Sequence, residues 1–506
     1  MADEIQLLHT ENSPLLSTQR GENNSNGDLE KAQVAGDANE DGARTNILED
    51  VIDTFHLAMP IFITRVSYVG MKTTDTALLG HVSGQALSAA ALSDLWTMCT
   101  AVLIQGRVLT ILVGQSIGAN NHHLALVYLR ISCLILGILS IGVMISWSFT
   151  EQVWIWLGQS EDIAKDAGYY SFVFIFSIPA RLGFSQLSQF LSAQRIMKPE
   201  VAASLMAMLC NVMLGVGLVL GIPFLGFDGL GFKACPLVTV VVVWCQCIFL
   251  YIYWLKRGDP SQASNPSIGH KQWLSSWTEG ITMERIRTFS ALYFPAALAS
   301  SSDFWRMGAI GAIAAILGER EVGLFNASYR ILWITLIFVG ALSGAAGIKI
   351  GLCLGKGDPA AARQAAAVGV GLALLFLLFL STIVYFNTRI LGMLFTSDES
   401  YLDLFEECRW PFTCVLFFMN LAVGIETIPL SMGQTGEVFY AGFVASWFVQ
   451  VPGVTLLIRY WRKDLYALYT GVAAGYAVLV LIYGWLAYSS DYRKYSDMAR
   501  KRAEVS

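Results

Sequence analysis

MPIFITRVSYVGMKTTDTALLGHVSG, from Met59 to Gly84, decides the fold of this chain. It overlaps a longer apolar run, Val51 to Gly80, that is long enough to cross the roughly 30 Å hydrocarbon core of a bilayer. Asp75 lies inside this run, where a charged side chain costs roughly 2.5–3.5 kcal/mol on insertion scales. A charge retained at such a position indicates a functional site, and here it indicates movement of an ion or a solute.

The rest of the chain repeats the apolar pattern. Its 506 residues are 55% hydrophobic and 14% charged, against roughly 25% charged residues in soluble domains. We predict an all-α integral membrane protein in contact with the lipid bilayer, with about twelve transmembrane helices, at 52–80, 86–116, 124–148, 168–193, 200–222, 229–255, 285–316, 322–353, 361–386, 407–432, 437–458 and 465–488. The net charge of −5 offers no basic groove for nucleic acid.

Four landmarks of the first half recur in the second half in one order, three of them at an offset of 235 to 237 residues and the fourth a little further apart. The pairs are Pro60 with Pro295, IGANNHHLALVYL from Ile117 with LGKGDPAAARQAA from Leu354, LGQSEDIAKDAGYYSFV from Leu157 with LFTSDESYLDLFEECRWPF from Leu394, and SAQ ending at Gln194 with MGQ ending at Gln434. They predict two six-helix bundles related by internal duplication, at 49–255 and 285–488. A cytosolic linker at 256–284 joins them, and a basic cytosolic tail follows at 489–506.

Residues 1–48 are polar and acidic, with too few apolar side chains to form a core, so we predict a disordered cytosolic tail. This tail holds two acidic dileucine patterns, DEIQLL and ENSPLL, whose leucine pairs are Leu7, Leu8, Leu15 and Leu16. Such patterns are typical of sorting adaptor ligands and predict the vacuolar or lysosomal membrane. A chance occurrence is the alternative, and it leaves the plasma membrane open.

Charges in the short loops predict the orientation of the chain. Arg and Lys are more frequent in the segments that are cytosolic if both termini are cytosolic, as the positive-inside rule requires. The basic cluster Arg459, Arg462 and Lys463 opposes this assignment.

The motifs together resemble those of the multidrug and toxic compound extrusion (MATE) family, and its eukaryotic branch most closely, over nearly the whole length between the two tails. The matching residues are Pro60, Asp75, Gly80, His81 and Gly84 in the first span, Gln115, Gly118 and Ala119 in the second, the element SQFLSAQRIMKP at 188–199, and LFTSDES at 394–400. The resemblance implies two bundles that enclose a midplane site of alternating access. It also gives Pro60, Gln115 and Gln194 structural or gating roles.

The resemblance implies a coupling site in the N-terminal half. Asp75 falls on the column of the first-span Asp that takes up a proton or cation in prokaryotic members. Asn211 matches the Asn of their fifth-span Asn and Asp pair, but Gly215 occupies the Asp column. We therefore predict one titrating carboxylate there instead of two.

A second site is implied in the C-terminal half. Asp303 falls on the column of the seventh-span acid of eukaryotic members, with Trp305 beside it as a surface for stacking on flat cations. Their second acid is absent, and Arg306 lies three positions on, where it can pair with Asp303. Glu426, two turns from the column of the family's tenth-span acid, is the compensating candidate.

Structural explanations compete with these roles. Asp75 could form a static ion pair with Lys72 or Arg65 of its own helix, and Asp303 could form one with Arg306. Arg107 is more readily explained as a buried partner of one acid than as a substrate ligand, because its surroundings are otherwise apolar.

A buried carboxylic acid can be neutral when it faces an acidic compartment and ionised when it faces the cytosol. We therefore predict export of small organic, cationic solutes by proton-coupled antiport, with sodium less favoured as the coupling ion, and no cofactor. The alternative is a lipid-linked oligosaccharide flippase, for which Arg65, Arg107, Arg181 and Arg330 would serve as pyrophosphate ligands. An enzyme is not expected, since the six His residues lie in the tail, at span ends or in loops. A passive channel is least favoured.

Overall fold

A computed structural model describes residues 47–106, 108–221, 227–257, 279–393 and 398–504. The predicted sorting leucines, Arg107 and most of the predicted linker lie outside these ranges. The described residues from Asp50 onward form one compact unit.

The N-terminal half contains α1 (Ile47–Val82), α2 (Gly84–Ala101), α3 (Val108–Gly118), α4 (His122–Ser148), α5 (Thr150–Trp156), α6 (Glu161–Ile175), α7 (Ile178–Ala193), α8 (Lys198–Gly215) and α9 (Ala234–Arg257). The C-terminal half contains α10 (Met283–Leu317), α11 (Glu319–Lys356), α12 (Pro359–Phe386), α13 (Thr388–Met393), α14 (Glu399–Glu407), α15 (Arg409–Met432), α16 (Thr435–Val444), α17 (Val451–Tyr460) and α18 (Leu465–Ser489). One further helix, α19 (Tyr492–Glu504), ends the described chain.

Nine helical segments of the described ranges are long and apolar enough to cross a membrane. The other three predicted spans correspond to α1, to α10 and to α6 with α7. α1 and α10 are less apolar because they carry the charges of the candidate site. α6 and α7 are each too short to cross a membrane alone, with 15 and 16 residues, because the chain bends between them. The all-α fold class predicted from the apolar pattern is confirmed.

The second predicted span, 86–116, is broken where an unbroken helix was expected. α2 gives way to the 3-10 turn Val102–Ile104 before α3 begins. A Cβ on Gly106 would lie 2.5 Å from the ring of Tyr293 on α10. The hydroxyl of Tyr293 donates to the carbonyl oxygen of Leu103 at 2.7 Å, which satisfies a backbone group that the break frees. The break therefore depends on a side chain from the other half, which a local pattern does not reveal.

The fifth span of each half contains a π-helical segment. Val216–Leu220 continues α8, and Ala445–Gln450 joins α16 to α17. Such wide turns are often found at functional sites, because they redirect a side chain that a regular helix would place elsewhere.

The predicted C-terminal tail contains a folded element. α19 packs on α11, where the Ser496 hydroxyl donates to the carbonyl oxygen of Leu354 at 3.1 Å. Ser496, Ala499 and Ala503 are buried on one face of α19, at the spacing of an amphipathic helix. Composition alone had suggested only a basic tail.

Candidate functional site

Asp75 is buried in α1, about 10 Å from the C-terminal end of that helix. Its two carboxylate oxygens have separate neutral donors. Asn211 Nδ2 on α8 donates to Oδ1 at 3.1 Å, and Thr239 Oγ1 on α9 donates to Oδ2 at 2.9 Å. The structure thus brings together the two predicted residues of this half and adds Thr239, which was missed. Its only sequence signal is a hydroxyl residue within an apolar run of valines.

The static ion pair considered for Asp75 is not formed. The ammonium group of Lys72 donates to Asp94 Oδ1 on α2 at 2.7 Å. The guanidinium group of Arg65 lies against Gly340 on α11. Within the described ranges, no ion pair reaches Asp75.

Packing explains the glycine at position 215. A Cβ at this position would lie 2.6 Å from Leu78 Cδ1. The family's second carboxylate at this column would therefore require Leu78 of α1 to move.

The predicted pairing of Asp303 with Arg306 is present in α10. Arg306 Nη2 lies 3.1 Å from Asp303 Oδ1. Arg306 is buried, and it also donates to Gln450 Oε1 at 2.8 Å and to the hydroxyl of Tyr476 at 3.0 Å. Its guanidinium group lies over the ring of Tyr476, 4.8 Å from the centroid. The π-helical segment and α18 thus hold the guanidinium group of Arg306 next to Asp303.

Asp303 and Glu426 are the two acids of the candidate site in this half. The side chain of Asp303 is 52% exposed although it lies about 20 Å from the C-terminal end of α10. Lipid contact would be costly for a carboxylate, so this exposed surface faces a space within the bundle. The charges of Asp303 and Arg306 act on Glu426, and Glu426 has no hydrogen bond or ion pair to another residue of the described chain. Two carboxylates and one guanidinium leave one negative charge in excess.

Trp305 does not share a helix face with Asp303, although the two residues are close in the sequence. It lies two positions after Asp303, so the two side chains point about 200° apart around α10. Tyr329 and Trp333 of α11 are better candidates for stacking on a flat cation. The charges of Asp303 and Arg306 act on Tyr329, and Tyr329 forms an edge contact with Trp333. A stacking role for Trp305 stays a prediction.

Contacts between the halves concentrate at one end of the helices, which we call the inner end because the predicted topology places it at the cytosol. Gln115 Nε2 donates to the carbonyl oxygen of Ser431, and Arg502 Nη1 on α19 donates to Gln115 Oε1, both at 3.2 Å. At the same level the backbone of Gly114 approaches that of Gly351. The position of Gln115 fits the gating role predicted for it, which stays a prediction.

Pro60 and Gln194 remain within their own half. Pro60 lies inside α1, as Pro295 lies inside α10. Gln194 ends α7 and donates from Nε2 to the carbonyl oxygen of Phe190 at 3.1 Å.

An ion-pair network that was not predicted also joins the inner ends. Lys349 on α11 is buried and lies 2.9 Å from Asp50 and 3.2 Å from Asp53 on α1. Arg195 pairs with Asp53 at 2.8 Å, and Gln364 on α12 donates to Asp50 at 2.7 Å. Two helices of the C-terminal half are thereby tied to α1.

In the part of the chain described here, no three His, Cys, Asp or Glu side chains are placed to hold a metal ion.

The sequence model of the MatE family matches residues 60–216 and 295–456, and each match begins at one of the two paired prolines. The chain belongs to the MATE family. Protein DETOXIFICATION 17 of Arabidopsis thaliana is 24% identical to it, over 92% of this chain and 95% of the relative. Multidrug and toxin extrusion protein 1 of Danio rerio is 22% identical, over 91% of this chain and 76% of the relative.

The crystal structure of the eukaryotic MATE transporter AtDTX14 superimposes with a TM-score of 0.80 at 19% identity, covering 90% of this chain and 99% of that one. The predicted fold of twelve transmembrane helices in two bundles is thus confirmed, as is the predicted family. The protein is a multi-pass membrane transporter of the MATE family. The comparisons do not favour the flippase alternative, and they point to no catalysis.

Proposed function

We propose that this MATE transporter exports small organic cations, xenobiotics or metabolites, from the cytosol in exchange for protons. The excess negative charge of the Asp303, Arg306 and Glu426 cluster carries the proposal. It supplies a site that attracts a cation when its carboxylates are ionised and that loses this attraction when one of them binds a proton.

Glu426 is the residue of this cluster best suited to exchange a proton for a cation. Asp303 shares its charge with Arg306, at 3.1 Å. Glu426 has no such partner among the described residues, so its charge is available to a substrate. Tyr329 and Trp333 offer aromatic faces near the same charges for the apolar part of an organic cation.

Asp75 supports proton coupling in the N-terminal half. Two neutral donors and burial leave a carboxyl group that can exist in both protonation states, without a cation that would lock it in the ionised form. The proton would enter from an acidic compartment outside the cytosol. Protonation would then favour one arrangement of the two halves over the other.

The experiment that tests the proposal uses the purified protein in liposomes with an acidic interior. A fluorescent organic cation such as ethidium is added outside, and its uptake is followed together with the rise of internal pH. We expect uptake and proton efflux together, both abolished when the proton gradient is collapsed beforehand.

A parallel set of liposomes carries a sodium gradient at equal pH. Cation uptake driven by sodium alone would contradict proton coupling. Movement of the cation down its own gradient, with no response to either ion gradient, would contradict antiport. The variant Arg462→Met serves as a control, because Arg462 pairs with Glu407 and Asp464 away from both clusters.

The membrane in which export takes place is part of the proposal. The two dileucine patterns favour a vacuolar or lysosomal membrane, reached through a sorting adaptor, over the plasma membrane. A vacuole or a lysosome would place an acidic compartment opposite the cytosol. In this arrangement both termini of the chain are cytosolic.

A further inference from the structure

An ion pair lies within the membrane span beside Asp75. Lys72 on α1 and Asp94 on α2 are joined at 2.7 Å, and their side chains are only 22% and 30% exposed. Each lies about 15 Å from the adjoining ends of α1 and α2. Lys72 precedes Asp75 by three positions, so both side chains leave α1 on the same face.

Among the described residues, Lys72 and Asp94 are the charged side chains that act most strongly on Asp75. The elements packed on the other sides contribute the neutral donors Asn211 and Thr239. Tyr170 and Cys235 also face the site, in contact with each other at 3.6 Å, and both groups are ordinarily neutral near pH 7. The electrostatic state of Asp75 is therefore set by one cation and one anion.

Lys72 has other neighbours besides its ion-pair partner Asp94. Its ammonium group lies 5.1 Å from the centre of the Phe174 ring, and the Arg181 guanidinium group lies 5.2 Å from the same ring. Arg181 has no ion pair within the described residues, and its charge acts on Lys72. Lys72 is thus attracted by Asp94, with which it pairs, and by Asp75 one turn along α1, and it is repelled by Arg181.

We propose that Lys72 and Asp94 complete the proton site of this half, and that Lys72 changes partner from Asp94 to Asp75 when Asp75 loses its proton. The inference rests on the proposed proton-coupled function. Gly215 leaves the fifth span without a carboxylate, and Asp94 supplies the second one from α2.

The exchange conserves charge at each step. While Asp75 is protonated, Lys72 and Asp94 form a closed, neutral pair, which is the pairing observed. The proton leaves Asp75 for water, and the new carboxylate attracts the ammonium group of Lys72 one helical turn away. Asp94 is then free to bind the positive charge of an organic cation. The same group of side chains thus holds either a proton or a substrate.

A structural role for the pair makes a different prediction. If the pair only ties α1 to α2, its removal lowers thermal stability but leaves proton binding at Asp75 unchanged. Variants that change the charge next to Asp75 separate the two roles.

The test is a pH titration of the full-length protein in nanodiscs by difference infrared spectroscopy. The carbonyl band of protonated Asp75 is assigned by its loss in Asp75→Asn. In Asp94→Asn, the unopposed charge of Lys72 should lower the midpoint of this band by about one pH unit. In Lys72→Met, the charge of Asp94 should raise it by about one pH unit. The double variant should lie between them.

Conservative variants control for misfolding. Lys72→Arg and Asp94→Glu keep the charges and should keep the wild-type midpoint. A second readout is binding of ethidium against pH in the same nanodiscs. Binding to Lys72→Met should depend less on pH than binding to wild type, because Asp94 is then always free.

The outcomes separate this inference from the proposed function. Unchanged midpoints in Lys72→Met and Asp94→Asn, with or without a loss of thermal stability, would overturn the inference even if wild type exchanges protons for ethidium in liposomes. Shifted midpoints in a protein that exchanges no protons for cations would leave the three-residue site in place and overturn the antiport proposal.

Discussion

At the scale of single residues, the two halves use carboxylates in different ways. Asp75 is buried with one neutral donor on each oxygen. Asp303 is half exposed and shares its charge with a buried arginine. The first arrangement suits a carboxyl group that gains and loses a proton, and the second suits a carboxylate that a larger cation can reach directly.

Asp75→Asn and Glu426→Gln should each lower proton-coupled uptake at least tenfold, while thermal stability stays near wild type. Neither acid has an ion-pair partner in the described chain. Removing its charge therefore leaves no other buried charge unpaired. Uptake in liposomes and thermal unfolding of the same samples check this expectation. A poorly folded Asp75→Asn that is rescued by Lys72→Met would instead show that Asp75 has a structural role.

Asp303→Asn should weaken transport less than Glu426→Gln, since Arg306 already neutralises part of the Asp303 charge. Arg306→Met should raise affinity for an organic cation by about tenfold at most, because a half-exposed ion pair contributes little. The same change should lower the melting temperature, since Gln450 and Tyr476 lose a buried partner at roughly 1–3 kcal/mol. Cation binding and thermal unfolding measure the two effects.

Equal and complete loss of transport in Asp303→Asn and Glu426→Gln, with no gain in Arg306→Met, would contradict this ranking. Asp303 would then carry the full role of the family's seventh-span acid. Arg306→Lys is the matched control, because it keeps the charge next to Asp303.

At the scale of elements, the N-terminal tail and the membrane helices are expected to act independently. Replacing the four leucines of the two dileucine patterns, Leu7, Leu8, Leu15 and Leu16, with Ala should move the protein to the plasma membrane. Uptake measured in liposomes should not change, because a disordered sorting signal contributes nothing to the packed core.

Microscopy of the tagged protein in cells measures this change. The matched control replaces Ile5 and Val34 with Ala, which removes apolar tail residues outside the leucine pairs. A vacuolar or lysosomal location that persists in the quadruple variant would show that the leucine pairs are chance occurrences.

The positions of the spans followed from the sequence, but the details of the elements did not. Apolar runs of membrane length predicted all twelve spans, because the bilayer imposes length and composition on each helix separately. The break before α3 was missed, since Tyr293 reaches it from the other half. Thr239 and Gln450 were missed for the same reason, because each acts on a residue far away in the chain.

At the scale of the whole molecule, duplication and asymmetry coexist. Both family matches begin at equivalent prolines, and both fifth spans contain a π-helical segment. The polar groups do not follow this symmetry, because one half holds a buried acid with neutral donors and the other an arginine between two acids. The symmetric frame therefore contains two chemically different sites at which protons and cations can compete.

The junction of the inner ends should control which side of the transporter is open. Lys349→Met removes the buried cation that ties α11 to Asp50 and Asp53 of α1. The two ion pairs that hold α11 to α1 are then lost, so the inner ends should separate more often. We expect at least a tenfold rise in the fraction of molecules open at the inner end, or about 1.4 kcal/mol.

Distances between spin labels at His123 and Lys356, on a background without the native cysteines, measure this fraction. These positions belong to different halves and line one cavity at the inner end. Lys349→Arg should retain the closed distance, because it keeps the charge at the junction. Arg462→Met should retain it as well, since its ion pairs lie at the opposite end of the helices. If Lys349→Met kept the distance distribution of wild type, the network would stabilise the fold without controlling access, and the junction at Gln115 and α19 would be left to hold the inner end closed.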